Sequence, residues 1–450
     1  MSSGPWREEH DFLGPVQVPR EALYGAQTQR ALDNFPLSGE RSIGDYPVLI
    51  GALLCIKWAA AEANRTAGFL DDEVAGAIVQ GARELIDEGA GRHFPIHRFH
   101  GGGGTSANMN ANEVLANRAE EILGGRRGQY RLVHPNDHVN LHQSTNDVYP
   151  TACRMAVIAA WPALAEALER LGRVLHSRGF QLRDEPRVAR TCLQDAVAVT
   201  FGDLFGSYEA VLARAADRIA RDVDELHAVN LGGTIVGRPQ DAPDGYRRRV
   251  LPILRTVSGD ATYRLVPNLF DAAQNPDGMV AVSSGLELLA RALIKVAKDL
   301  RLLGSGPEAG LGEIRLPAVQ PGSSIMPGKV NPVIPEFVVQ SCFQVIGNHA
   351  ACAGALDHGE LDLNIWESVL LFNVLDSMGL LANAVQTLGE RCLEGVTVVQ
   401  ETNRRNTDSI IPLLTELVKS RGYSAVSRIC REAGGDVQKI RELLKREGWI

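Results

Sequence analysis

Five stretches of the chain carry apolar residues at helical spacing over about 20 to 30 positions each. The first lies between Pro162 and Pro186, where Leu164, Leu168, Leu171 and Leu175 follow at intervals of four, three and four. A second follows Asp195, through Leu204, Tyr208, Val211, Leu212, Ala215 and Ile219. A third follows Pro276, with Val280, Val282, Leu286, Leu289, Leu293, Val296, Leu300 and Leu303. A fourth begins after Pro335, and a fifth covers Val369 to Leu393. Helices this long are about twice the usual length, and several are apolar around much of their circumference. Such helices need neighbours on more than one side, so the expected arrangement is a helical bundle completed by other subunits. Strand-like alternation is scarce, and an all-α, mainly helical fold is expected.

With 450 residues, more than one domain is expected. Residues 1–150 mix helices with Gly-rich loops, 151–395 hold the long-helix bundle, and 396–450 read as a small helical appendage broken at Gly434-Gly435. A net charge of -8 and a pI near 5.8 argue against a dedicated nucleic-acid binder, and basic runs such as Arg126-Arg127 and Arg247-Arg248-Arg249 read as solvated surface. Seven scattered cysteines without a C-x-x-C pair suit free thiols in a reducing compartment, hence a cytoplasmic location. The first fourteen residues lack the apolar core of a secretory signal. No uncharged apolar run of about 18 residues occurs, so no membrane span is expected. Fixed-period repeats and low-complexity segments are also lacking.

Three segments interrupt the helical pattern with dense glycine and polar content. The first comes in two pieces, Gly101-Gly102-Gly103-Gly104-Thr105-Ser106-Ala107-Asn108-Met109-Asn110 and Gln143-Ser144-Thr145-Asn146-Asp147. The second is Arg190-Thr191-Cys192-Leu193-Gln194-Asp195, and the third runs from Pro321 to Pro332 as PGSSIMPGKVNP. In the third, Gly322 and Gly328 open backbone conformations closed to other residues, while Pro327 and Pro332 stiffen the ends. Such a loop presents several N–H groups together, flanked by Ser323 and Lys329. Donors plus a cation suit a carboxylate, above all one gaining charge. A lone GSS or PGK would read as a structural turn, whereas the whole twelve-residue run favours a functional loop. The first segment offers neutral Thr, Ser and Asn donors that hold a carboxylate without titrating. Its Ser144–Asp147 piece also suits helix capping, and both roles are compatible because a helix N-terminus attracts anions. The four glycines lack the Gly-Lys-Ser/Thr or strand–helix context of a phosphate loop.

His134, His138 and His142 are spaced four apart, as zinc ligands on one helical face would be. Pro135 makes a regular helix through them doubtful, and neither cysteine partners nor an H-E-x-x-H pattern accompanies them. Satisfied or exposed histidines are the preferred reading.

The third segment closely resembles the signature of the aspartase/fumarase superfamily, and the match extends over GLGEIRLPAVQPGSSIMPGKVNPVIPE from Gly310 to Glu336. GGGGTSANMNANEVLANRA from Gly101, HPNDHVNLHQSTNDVYPTA from His134 and RTCLQDAVAVTFGD from Arg190 resemble its other regions. YGAQTQRALDNFP from Tyr24 resembles its N-terminal segment, and the similarity weakens only after residue 396. The resemblance implies a three-region helical lyase fold. Four subunits combine their bundles into a twenty-helix core, and each active site draws on three of them. It implies no metal and no organic cofactor. The implied chemistry is anti elimination from a substituted succinate through an aci-carboxylate to fumarate, with Ser323 as general base. Lys329 and Asn331 resemble the partners of one substrate carboxylate. Thr105, Ser144, Thr145, Asn146 and Thr191 resemble those of the other carboxylate and of the leaving-group side. Ser106 and Arg30 are further candidates.

STND at 144–147 and VIPE at 333–336 are closer to the aspartase branch than to fumarases, so ammonia is the expected leaving group. Four positions depart from the family pattern. Cys192 stands where many members carry His or Gln beside the substrate, and His142 where a small residue is usual. Gly237-Arg238-Pro239-Gln240-Asp241 replaces a GTGLN-like loop, and Trp366-Glu367-Ser368 ends in Ser rather than Pro. These departures suit either drift or an altered leaving-group pocket, with Arg238 or His142 facing a substituted amine or nitrite; water is the fumarase alternative. A catalytically silent structural relative and a fumarate-binding regulatory module are the readings outside enzymology. Retained Ser323 and Lys329 weigh against the first, and the lack of an appended domain against the second.

Overall fold

The computed structural model describes residues 5–450, so Met1–Gly4, which open the segment read as lacking a secretory signal, lie outside it. From the amino end, β1 (Trp6–Asp11) and β2 (Gly14–Pro19) form an antiparallel hairpin, followed by α1 (Ala26–Asn34), α2 (Pro47–Thr66), α3 (Asp72–Glu88) and α4 (Thr105–Ile122). Next come α5 (Thr145–Gln181), a hairpin of β3 (Pro186–Thr191) and β4 (Gln194–Thr200), and α6 (Phe201–Glu225). The short strand β5 (Ala228–Val229) precedes α7 (Asp244–Ser258), and β6 (Arg264–Leu265), parallel to β5, precedes α8 (Leu269–Gln274). Then follow α9 (Asp277–Leu303), β7 (Ile314–Arg315), α10 (Val333–Asp357) and α11 (Glu367–Arg391). The strand β8 (Thr397–Val398) pairs with β7, and α12 (Gln400–Thr407), α13 (Ile410–Arg421), α14 (Tyr423–Ala433) and α15 (Val437–Arg446) complete the chain. The fold is mainly helical, as the apolar spacing requires.

Packing divides the chain into two compact units interleaved in sequence. One takes the residues up to Leu164 with Arg218–Glu287 and Gln344–Gly379; the other takes Ala165–Asp217, Leu288–Phe343 and Leu380–Ile450. Each of the five long helices α5, α6, α9, α10 and α11 belongs in part to both. In the first unit α2 packs on α3, α4 and α7, burying Leu49, Leu53, Ile56 and Ala60 completely. In the second, the β3–β4 hairpin packs on α12 and α13. The last three helices close their own core around Leu414, Val426, Ile429, Ile440 and Leu444. Spacings of three and four in α15 put Ile440, Leu443 and Leu444 on one face, and the Asp436 side chain caps its start through the Lys439 N–H at 2.9 Å.

Two local expectations change. The helix expected to begin at Pro162 begins at Thr145 and runs through Pro150 and Pro162. Each proline deletes one helical N–H, and the carbonyl freed by Pro150, that of Asn146, accepts instead from Asn230 Nδ2 at 3.1 Å. The helical stretch expected to follow Asp195 begins at Phe201, and the residues before it form β4. By length and hydropathy α2, α5 and the helix starting at Glu367 are apolar enough to cross a membrane. None holds 18 uncharged residues in a row, and 56% to 67% of the most apolar stretch of each is buried within the protein.

Candidate active site

The first unit gathers the Gly101–Asn110 and Gln143–Asp147 segments. Gly102, Gly103 and Gly104 all have positive φ, which lets the loop turn sharply into α4. A Cβ on Gly104 would lie 2.2 Å from the buried Tyr149 ring, so the loop rests directly on α5. Thr105 opens α4, exposed, with the half-buried Ser106 beside it. Ser144 caps α5: its Oγ accepts from Asn146 N at 3.2 Å, and its N–H donates to Asp147 Oδ1 at 2.9 Å. The capping expected of this segment is therefore present. Asn146 Nδ2 donates to Ile235 O at 2.8 Å, and Asp147 Oδ2 accepts from Gly232 and Thr234 N–H groups at 2.8 and 3.2 Å. The Asn230–Arg238 loop is thus strapped to the start of α5. Burial pushes the Asp147 carboxyl up to about 6, against the pull of these backbone donors.

Beneath this face lies a buried lysine. Lys57 donates to Asn140 Oδ1 at 2.9 Å and to Gln143 Oε1 at 3.0 Å. Asn108 Nδ2 donates to Asn140 Oδ1 at 3.2 Å and to Thr145 Oγ1 at 3.1 Å. Burial pushes the Lys57 amine down to about 7, with Asp147 drawing it back up. His142 has a positive φ, and its ring sits between Phe69 and Tyr246, with Nδ1 2.7 Å from Asn64 Oδ1. Burial lowers its pKa, which favours the neutral imidazole.

His134 and His138 serve backbone roles. Residues Pro135–Val139 form a π-type turn in place of a regular α-helix; His134 Nδ1 accepts from Asn136 and Asp137 N–H groups, and His138 Nδ1 accepts from His134 N–H. Arg30 on α1 grips Asp11 at 2.7 Å and Gly14 O at 3.0 Å. It shares a cavity of about 250 Å³ with Asp11, Phe12, Gln27, Phe35 and Ser106. Its helix is anchored from α4, where buried Glu113 accepts from Gly25, Gln27 and Thr28 N–H groups at 2.8 to 3.1 Å. Arg238 is exposed, and its guanidinium lies 3.5 Å from Asp241.

The second unit carries the remaining candidates. Thr191 ends β3, and Cys192 and Leu193 form the two-residue turn into β4. Both turn residues have positive φ, the backbone a type I′ turn demands, although neither is glycine or asparagine. Thr191 and Cys192 are exposed. The neighbouring Arg190 reaches the fully buried Glu313, which also accepts from Asn406 Nδ2 at 3.2 Å, tying the hairpin to α12.

On the Pro321–Pro332 loop, Gly322 N–H donates to Lys329 O and Asn331 Nδ2 donates to Gly322 O, both at 2.8 Å. A Cβ on Gly322 would come within 2.7 Å of Asn331 N and Lys329 O, so glycine is required at this neck. Ser323 Oγ accepts from the N–H groups of Ile325 at 3.2 Å and Met326 at 3.0 Å. Lys329 is exposed, with no carboxylate partner among the described residues. Thr105, Ser106, Ser144, Thr145, Asn146, His142, Arg30 and Arg238 thus lie in one unit, and Thr191, Cys192, Ser323, Lys329 and Asn331 in the other.

Lys57, Asn108, Asn140 and Glu313 are not singled out by sequence. A lone lysine in the run Leu54-Cys55-Ile56-Lys57-Trp58-Ala59 is the one visible signal, because a charge inside an apolar helical face needs a partner.

Residues 14–347 match the protein family described as Lyase. The chain belongs to that family, and fold and sequence together define a lyase of the aspartase/fumarase superfamily. It is 41% identical to an aspartate ammonia-lyase of a Bacillus species over 442 residues, 98% of this chain and 94% of that protein. It is also 41% identical to a class II fumarate hydratase of Nitrosomonas europaea, over 99% of this chain and 96% of that protein. The fumarate lyase:delta crystallin of Brucella melitensis, solved in native form, superposes with a TM-score of 0.91 at 42% identity, covering 99% of this chain and 97% of that one.

Proposed function

We propose that this protein is a carbon–nitrogen lyase that removes ammonia from L-aspartate to give fumarate, with Ser323 as the general base. The observation that carries this reading is the pair of backbone N–H groups aimed at Ser323 Oγ. Donors fixed on a hydroxyl oxygen favour its anionic form, the form able to take a proton from carbon. Ser323 takes the proton from the carbon beside one carboxylate, whose oxygens gain the charge as an aci-carboxylate. The carbon–nitrogen bond then breaks on the opposite face and ammonia leaves. Lys329, unpaired among the described residues, supplies the cation for the charged carboxylate together with the loop amides. Thr105, Ser144, Thr145 and Asn146 hold the other carboxylate as neutral donors, and Thr191 and Cys192 border the leaving group. A homotetramer with each site shared by three subunits, as the resemblance to the superfamily implies, is the assembly we propose. The seven free thiols support a reducing, cytoplasmic setting.

Water elimination is the second reading, since a class II fumarate hydratase is as similar as the ammonia-lyase. Nitrite as leaving group is weakened by the ion pair that Arg238, the cation expected to attract it, makes with Asp241 at 3.5 Å. Ser323→Ala tests the proposal. Turnover should fall by about a hundredfold or more, the usual reach of a general base, with melting temperature and oligomeric state unchanged. Full turnover in this variant rejects the serine base.

A further inference from the structure

We propose that Lys57 is a positioning residue for the substrate face of α5: acting through Asn140 and Asn108, it aims the Thr145 hydroxyl proton outward as a donor for an anionic end of the substrate. The inference rests on reading Ser144–Asn146 as carboxylate binders. An ammonium has three donors and no acceptor. Its Nζ lies 2.9 Å from the amide of Asn140 and 3.0 Å from that of Gln143, so both facing atoms are carbonyl oxygens. Asn140 Oδ1 takes its second hydrogen from Asn108 Nδ2 at 3.2 Å. An Asn108 turned the other way would set two oxygens against each other. The remaining Nδ2 hydrogen goes to Thr145 Oγ1 at 3.1 Å. Thr145 therefore accepts from inside, and its own proton, with no acceptor among the described residues, is left to donate. The direction of the chain is read from two groups with a single role: Lys57, which cannot accept, and the Gln143 backbone carbonyl, which accepts from Asn140 Nδ2 at 3.2 Å and cannot donate.

This polarity has a visible cost. Asn108 Oδ1 is buried with no donor, the desolvation of one acceptor left uncompensated. Lys57 is itself fully buried, so it touches no substrate and acts only through the amides. A neutral Lys57 amine still has two N–H groups for the two oxygens but gains a lone pair, so the direction is then held by the Gln143 carbonyl, which accepts from Asn140 Nδ2 at 3.2 Å.

Fumarate binding to the purified full-length protein, measured by titration calorimetry, tests this without relying on turnover. Thr145→Val weakens binding by about tenfold or more, the scale of one hydrogen bond to a charged group. Lys57→Met alone weakens it by a comparable factor, but adds less than about twofold to the Thr145→Val protein, because the hydroxyl it orients is gone. In turnover the Lys57→Met loss falls on KM more than on kcat. Asn108→Ala gives the same non-additive pattern and decides the matter if Lys57→Met does not fold. Losses that multiply in the double variants overturn the proposal, as does wild-type affinity in the Lys57→Met protein. A wild-type protein that binds no fumarate removes the carboxylate-site reading itself, and the proposal with it.

Discussion

A single methyl group at residue 104 distinguishes backbone strain from close packing. Gly104 and Gly124 both have positive φ, of 89° and 84°. A Cβ at 104 meets the Tyr149 ring at 2.2 Å, whereas one at 124 meets nothing within 4 Å. The Tyr149 hydroxyl is paired with Ser368 Oγ at 2.8 Å and the ring is fully buried, so it has little room to yield. Gly124→Ala should cost about 1 kcal/mol of backbone strain. Gly104→Ala should cost about 3 kcal/mol or more, because overpacking adds to that strain. Calorimetric melting of the two variants measures the difference, and equal losses would mean that α5 does not support the glycine loop. The need for glycines here was legible, since four in a row before Thr105 are excess for any ordinary turn. Which glycine abuts a ring was not legible, because the partner lies 45 residues further on.

At the scale of elements, the long helices were legible from apolar spacing and their interruptions were not. Proline reads as a boundary, yet α5 passes through Pro150 and Pro162. At Pro150 this works because Asn230, 80 positions away, takes up the freed carbonyl of Asn146. Asn230→Ala should therefore destabilise the protein by about 1 to 2 kcal/mol, since it leaves the part-buried Asn146 carbonyl without its donor and the buried Thr151 hydroxyl without its acceptor. Denaturant titration reads that loss, and an unchanged midpoint would show that water serves the carbonyl as well. The β3–β4 hairpin was missed for a related reason. Its turn is built from Cys192 and Leu193, neither of which signals positive φ. The candidate loop at Pro321–Pro332 was legible because its glycines, prolines and cation are adjacent in sequence. The Lys57–Asn140–Asn108–Thr145 chain joins four segments that only the fold brings together.

For the molecule as a whole, stability should depend on pH through its buried ionisable groups. Burial holds the Lys57 amine near 7 instead of its ordinary 10.5. Between those values the unfolded chain binds more protons than the fold, so stability rises with pH across the window. Asp147 is raised from 3.8 to about 6, so across that lower window the fold binds more protons and stability falls as pH rises. From pH 7 to 10 the wild-type denaturation midpoint should gain on that of Lys57→Met, a comparison in which the buried thiols, raised by burial in both proteins, cancel; parallel curves would place the lysine in water. Shared sites make a second expectation. Mixing inactive Ser323→Ala with inactive Asn146→Ala protein, after dissociation and reassembly, should restore turnover, because some sites then take both intact groups from different chains. No recovery would confine each site to one chain. The most direct measurement is the ultraviolet absorbance of fumarate when purified protein meets L-aspartate, with L-malate, nitrosuccinate and N-substituted aspartates run alongside. Fumarate and ammonia in equal amounts from L-aspartate are the predicted result. Fumarate from another succinate alone would contradict the assigned leaving group, and no fumarate from any of them would contradict the lyase itself.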